Sequence, residues 1–172
     1  MTDETPTRPD AHRIAREDRA HTLALIARVS PAAFETPGLG DGEWSPKDLL
    51  GHLESWERYA LDAVHAWDRG ERAPIGEALE ELGTDEVNRR EVDRMAAIGA
   101  ELIRASAAKT HADLLATIEA MDDEAWVGTP LAGEEHSRGD RIGGILGGPL
   151  GPFRHDTAHW DDLEGFALRY PA

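Results

Sequence analysis

The stretch from Ser45 to Gly70 constrains this chain more than any other, because every local signal in it asks for one long amphipathic helix. Ser45 supplies an N-cap hydroxyl, Pro46 suits the first helical position, and Asp48 places negative charge in the first turn. Leu49, Leu50, Leu53, Trp56, Ala60, Val64 and Trp67 then recur at helical spacing and give a broad apolar face. Gly70 ends the run. A helix with so wide a face must bury it against other elements, and the remaining segments are mostly helical in period too.

An earlier helix is expected from about Asp10 to Val29, stopped at Ser30-Pro31 because a residue before proline is pushed out of the helical region. Thr36 to Gly42 reads as a glycine-containing loop. Thr84 to Met121 reads as a long helical region divided near Ile98-Gly99, and Asp122 to Gly139 as loop. Asp140 caps a short helical turn through Leu146, and a final helix is expected from about Pro152 to Tyr170, after the break at Gly147-Gly148-Pro149. The expected architecture is all-α: a four-helix up-down bundle with extra short helices, one domain over residues 1–172.

Charge narrows the partners. The chain has 34 acidic against 18 basic side chains, a formal net charge of -16. Repulsion from phosphate argues against nucleic acid and anionic membranes and leaves a small-molecule substrate; a homodimer is compatible with the sequence. With no cysteine, disulfides, thiolate metal sites and cysteine nucleophiles are excluded. Met1 to Asp10 lacks the apolar core of a signal peptide and no run is long enough for a membrane span, so a cytoplasmic protein is expected.

Of eight histidines, His12, His21, His65, His111 and His136 read as solvated side chains. His155 and His159 differ. Residues four apart on a helix share a face, here with Leu163, Phe166 and Tyr170, so two imidazoles can reach one divalent ion. Hydrogen bonding to carboxylates such as Asp162 is the competing reading of the pair. His52 lies one turn after Asp48 and one turn before Trp56, at the edge of the long helix's apolar face. Three protein ligands and an open position are what a catalytic metal takes, and imidazole suits zinc, nickel, copper and iron alike.

The residues Glu43-Trp44-Ser45-Pro46-Lys47-Asp48-Leu49-Leu50-Gly51-His52-Leu53, followed by Trp56-Glu57, resemble the opening motif of DinB/YfiT-like proteins. The likeness is greatest to the branch holding the mycothiol-dependent enzymes and the ClbS/DfsB proteins. Gly151-Pro152-Phe153-Arg154-His155-Asp156-Thr157-Ala158-His159 resembles that family's closing H-x-x-x-H segment, about a hundred residues later, and Asp85-Glu86-Val87-Asn88 also resembles the group. The resemblance implies that His52, His155 and His159 bind a divalent metal, zinc or nickel. It also implies an enzyme in which the metal activates a low-molecular-weight thiol cosubstrate, as a mycothiol-type S-transferase or isomerase, or activates water as a hydrolase. Where relatives carry an asparagine-containing turn before the H-x-x-x-H segment, this chain has Gly147-Gly148-Pro149-Leu150-Gly151-Pro152.

Two further readings stay open: a ClbS/DfsB-like self-resistance protein, active in detoxification, that hydrolyses or sequesters a reactive natural product, and a non-catalytic binding module. Asp48, Asp156 and Asp162 are candidate acid–base groups. Asp48 and Asp162 are also candidates to orient an imidazole from behind; a helix-start charge and a solvated carboxylate are the simpler readings. Trp56 and Trp160 are candidate substrate-binding residues, against the commoner role of tryptophan as core.

Overall fold

The computed structural model describes residues 5–40 and 42–172. Among the described residues eight α-helices follow in order: α1 (Arg8–Ile26), α2 (Pro46–Asp68), α3 (Pro74–Leu82), α4 (Thr84–Met95), α5 (Ala100–Ala120), α6 (Asp123–Val127), α7 (Arg138–Ile145) and α8 (Trp160–Arg169). Pro31–Ala33 and His155–His159 form 3-10 turns, and no strand occurs among the described residues. Helices α1, α2, α5 and α8 make the four-helix bundle, with α3, α4 and α7 packed on α2. None of these helices is long and apolar enough to cross a membrane.

Helix α2 is the spine. Its start is a capping box in which the Ser45 side chain accepts from the Asp48 N–H and the Asp48 carboxylate accepts from the Ser45 N–H. Lys47, nearly buried, donates to the Ala96 and Ile98 carbonyls and to Glu35, so the junction of α4 and α5 is tied to the first turn of α2. Further along, one part of the core gathers Leu25, Ile26, Phe34, Leu49, Leu50, Leu53, Leu163 and Phe166. The other gathers Trp56, Ala60, Val64, Trp67, Leu114, Ile118, Trp126 and Phe153. His52 stands on α2 between Leu49 and Trp56, where these two parts meet.

Several elements differ from the expectation. Helix α3 falls between Gly70 and Thr84, where no element was expected; Pro74 occupies its first helical turn. Helix α6 lies inside the expected loop, capped by Asp122, whose side chain accepts from the Ala125 N–H. Helix α7 is capped by Ser137 rather than Asp140, with Asp140 as the reciprocal member of a second capping box.

The largest difference is near the chain's end. The expected helix from Pro152 is a 3-10 turn through the two histidines, and α-geometry begins only at Trp160. The cause lies just upstream. Gly148 and Gly151 pair across a tight turn, and a Cβ on Gly148 would stand 2.1 Å from the Arg154 carbonyl oxygen. Phe153 then takes φ 63°, a left-handed conformation costly for a residue with a Cβ. Its ring is buried and stacks on Trp126 at 5.7 Å, and that packing offsets the strain.

Candidate metal centre

The 3-10 turn brings His155 and His159 to His52. Nε2 of His52 lies 3.1 Å from Nε2 of His155, and one ring nitrogen of each of the three lies within 4.8 Å of the other two. Burial first, then the two neighbouring imidazoles, pushes His52 down to about 2. Burial and then His159 bring His155 down to about 4. Burial lowers His159 too, against the opposing pull of Asp156 and Asp162. All three are neutral at pH 7, the form that offers a lone pair to a cation.

Nε2 of His159 and Nδ1 of His52 are buried without a hydrogen-bond partner. Such an orphan costs about 1–3 kcal/mol, and no carboxylate stands among the three rings to relieve it. Nitrogens about 2.0–2.1 Å from one ion lie within about 4 Å of each other, so the spacing needs only small ring movements to converge. The donor set therefore fits a divalent metal.

A cleft of about 700 Å³ opens beside this cluster, and His155 forms part of its wall. Trp56, Trp67, Ile75, Leu79 and Ile145 give it an apolar lining. At its polar positions Arg72 is paired with Glu80 and Arg141 with Glu134.

Behind His155 lies a buried ion network. Arg19 donates to both carboxylate oxygens of Asp156, at 2.9 and 3.2 Å, and to Glu57 at 3.2 Å. Glu57 in turn meets Nδ1 of His111 at 2.6 Å. Helix α1, α2, α5 and the histidine turn are thereby joined through four side chains. Burial pushes the Asp156 carboxyl up, but the Arg19 guanidinium, aided by Thr22, more than reverses this and leaves it below its usual 3.8. His111 is thus no solvated side chain, as its sequence neighbours suggested.

The other sequence candidates fall elsewhere. Asp48 Oδ2 accepts from the Ser45 N–H at 2.8 Å and the Ser45 hydroxyl at 2.7 Å, which fixes it as a cap rather than a support for His52. Asp162 is exposed and makes no hydrogen bond to His155 or His159 among the described residues. Trp56 lines the cleft. Trp160 instead donates to the Thr22 hydroxyl at 3.0 Å and packs against His21, outside the cleft lining.

Residues 15–141 match the family of the mycothiol maleylpyruvate isomerase N-terminal domain. The chain belongs to that family. The match includes His52 and stops before His155 and His159. No curated protein matches the sequence. Among solved structures, the colibactin self-resistance protein ClbS is similar with a TM-score of 0.72 at 16% identity, covering 97% of this chain and 97% of that one. An uncharacterised Escherichia coli protein is similar at 0.68 and 13%, covering 95% of this chain and 92% of its own. At these identities the likeness is one of fold.

ClbS was solved in complex with double-stranded DNA. That overturns the expectation, drawn from charge, that nucleic acid is no partner: a protein of this fold is seen on a duplex. Net charge sums the whole surface, whereas a duplex meets one patch of it.

Proposed function

We propose that this chain is a metal-dependent enzyme that binds one divalent ion, zinc or nickel, on His52, His155 and His159 and acts on a low-molecular-weight thiol cosubstrate. The observation that carries the reading is the convergence of three neutral imidazoles, His52 buried and His155 and His159 half-buried, one with an unpartnered Nε2, beside a cleft of about 700 Å³. Bound there, the ion would supply what a chain without cysteine lacks, a means of lowering the pKa of a thiol or of water near neutral pH. The protein's own groups do the rest. The histidines hold the ion, and the Arg19–Asp156 pair holds the segment that carries two of them. Trp56, Trp67, Ile75 and Leu79 keep water from the apolar part of a bound molecule.

Membership of the mycothiol-related family supports a thiol over water, and so an S-transferase or isomerase over a hydrolase. The test is spectroscopic. Cobalt-substituted protein should develop a sulfur-to-cobalt charge-transfer band when a low-molecular-weight thiol is added; no band at saturating thiol would refute thiol activation at this site.

A second reading follows from the likeness to ClbS, a self-resistance protein, over nearly the whole of both chains. The cleft lies within the usual range of small-molecule sites, roughly 300–1,000 Å³, and would hydrolyse or sequester a reactive natural product. Protection by this chain in the absence of any thiol distinguishes that reading from the first.

A further inference from the structure

Asn88 on α4 lines the cleft together with Trp56 and His155. Its Oδ1 accepts the Trp56 indole N–H at 2.9 Å. Indole nitrogen only donates, so the orientation of this amide is forced: oxygen toward Trp56, nitrogen away from it. Asn88 is half-buried, and its two N–H donors meet no acceptor among the described residues. Three other polar groups of the cleft, Arg72, Arg141 and Asp140, are engaged by Glu80, Glu134 and Ser137.

Trp56 also connects Asn88 with the histidines. It stands one turn from His52 on α2, and its ring lies 5.7 Å from that of His155. Asn88 and His155 thus both meet Trp56, and both line the same cavity.

We propose that Asn88 is a specificity-determining residue whose fixed N–H donors bind a carbonyl-type oxygen, of an amide or a carboxylate, on a ligand seated at the three-histidine site. This deepens the thiol reading and rests on it. A molecule with a thiol and such an oxygen a few bonds away would be held at two points, and a plain alkyl thiol at one.

Zinc-loaded protein is titrated calorimetrically with ethanethiol, N-acetylcysteamine and 3-mercaptopropionate. The wild type should bind one or both of the oxygen-bearing thiols about tenfold more tightly than ethanethiol, the worth of one well-made hydrogen bond; which of the two is preferred tells amide from carboxylate. Asn88→Asp keeps an acceptor for Trp56 but removes both donors, so it should abolish the preference for the amide-bearing thiol over ethanethiol. Asn88→Ala should do the same, with circular dichroism confirming the fold. A preference that survives in Asn88→Asp overturns this inference alone. Absence of any thiol binding to zinc-loaded wild type overturns the thiol reading and the inference with it.

Discussion

Replacing Arg19 with methionine keeps most of its volume and removes its charge from between Asp156 and Glu57. Arg19 is buried, and its contacts with both carboxylates are close enough to be charge-assisted hydrogen bonds. Removing one partner of a buried ion network leaves uncompensated charge and costs about 3–5 kcal/mol. The pH dependence identifies the cause. In the wild type the Asp156 carboxyl lies below 3.8, so its contribution is present above that pH and is lost as pH falls through the lower folded value. Without Arg19 the upward push of burial, the largest influence, is opposed only by the Thr22 hydrogen bond and His155. Ionised Asp156 then destabilises at neutral pH, and protonation relieves the penalty as pH falls through the raised value. Urea unfolding of wild type and Arg19→Met at pH 7 and pH 4 should show a gap of about 3–5 kcal/mol that narrows in acid. A gap below about 1 kcal/mol at pH 7, the scale of an ordinary surface change, refutes the argument, as does one that stays constant with pH.

Gly148→Ala should lower the melting temperature by the equivalent of about 1–3 kcal/mol and weaken zinc binding, because its Cβ would collide with the Arg154 carbonyl beside His155; thermal melts and zinc titration check both. Metal-free protein should lose stability as pH falls below the unfolded imidazole value near about 6.5, since His52, His155 and His159 are all held lower in the fold and the unfolded chain takes up the protons. Urea midpoints between pH 7 and pH 5 that do not move would contradict this. His65→Ala, at an exposed site, should leave both stability and zinc stoichiometry unchanged. His111→Ala should keep the stoichiometry but cost about 1 kcal/mol through the lost contact with Glu57, which keeps Arg19.

What the sequence makes legible is local. Ser45, Pro46 and Asp48 announce the start of α2, and the spacing of Leu49 to Trp67 announces its buried face, because capping and amphipathicity act within a few residues. His52 is found by its place on that face. The H-x-x-x-H spacing points to two residues that the fold brings beside His52, but through a 3-10 turn where the spacing implied an α-helix. Phe153 holds a left-handed conformation just before the 3-10 turn while its ring stacks on Trp126, distant in sequence, and nothing local to the histidines signals this. The Arg19 network has no local signature, since its members lie on α1, α2, α5 and the histidine turn. One signal was available: Arg19 follows Ala11 and Ala15 on the stripe that continues to Thr22 and Ile26, and Glu57 follows Leu53 in the same way. A charge placed in register with a buried face must find an opposite charge there. Asn88 was visible as a residue, but its orientation depends on Trp56 from another helix.

Calorimetric titration of metal-free protein with zinc and with nickel at neutral pH tests the central claim most directly. The account predicts one ion per chain, binding that is greatly weakened by alanine at His52, His155 or His159, and none in the triple variant. Binding no tighter than about millimolar for both metals (about 4 kcal/mol), or a triple variant that binds as well as wild type, would contradict it.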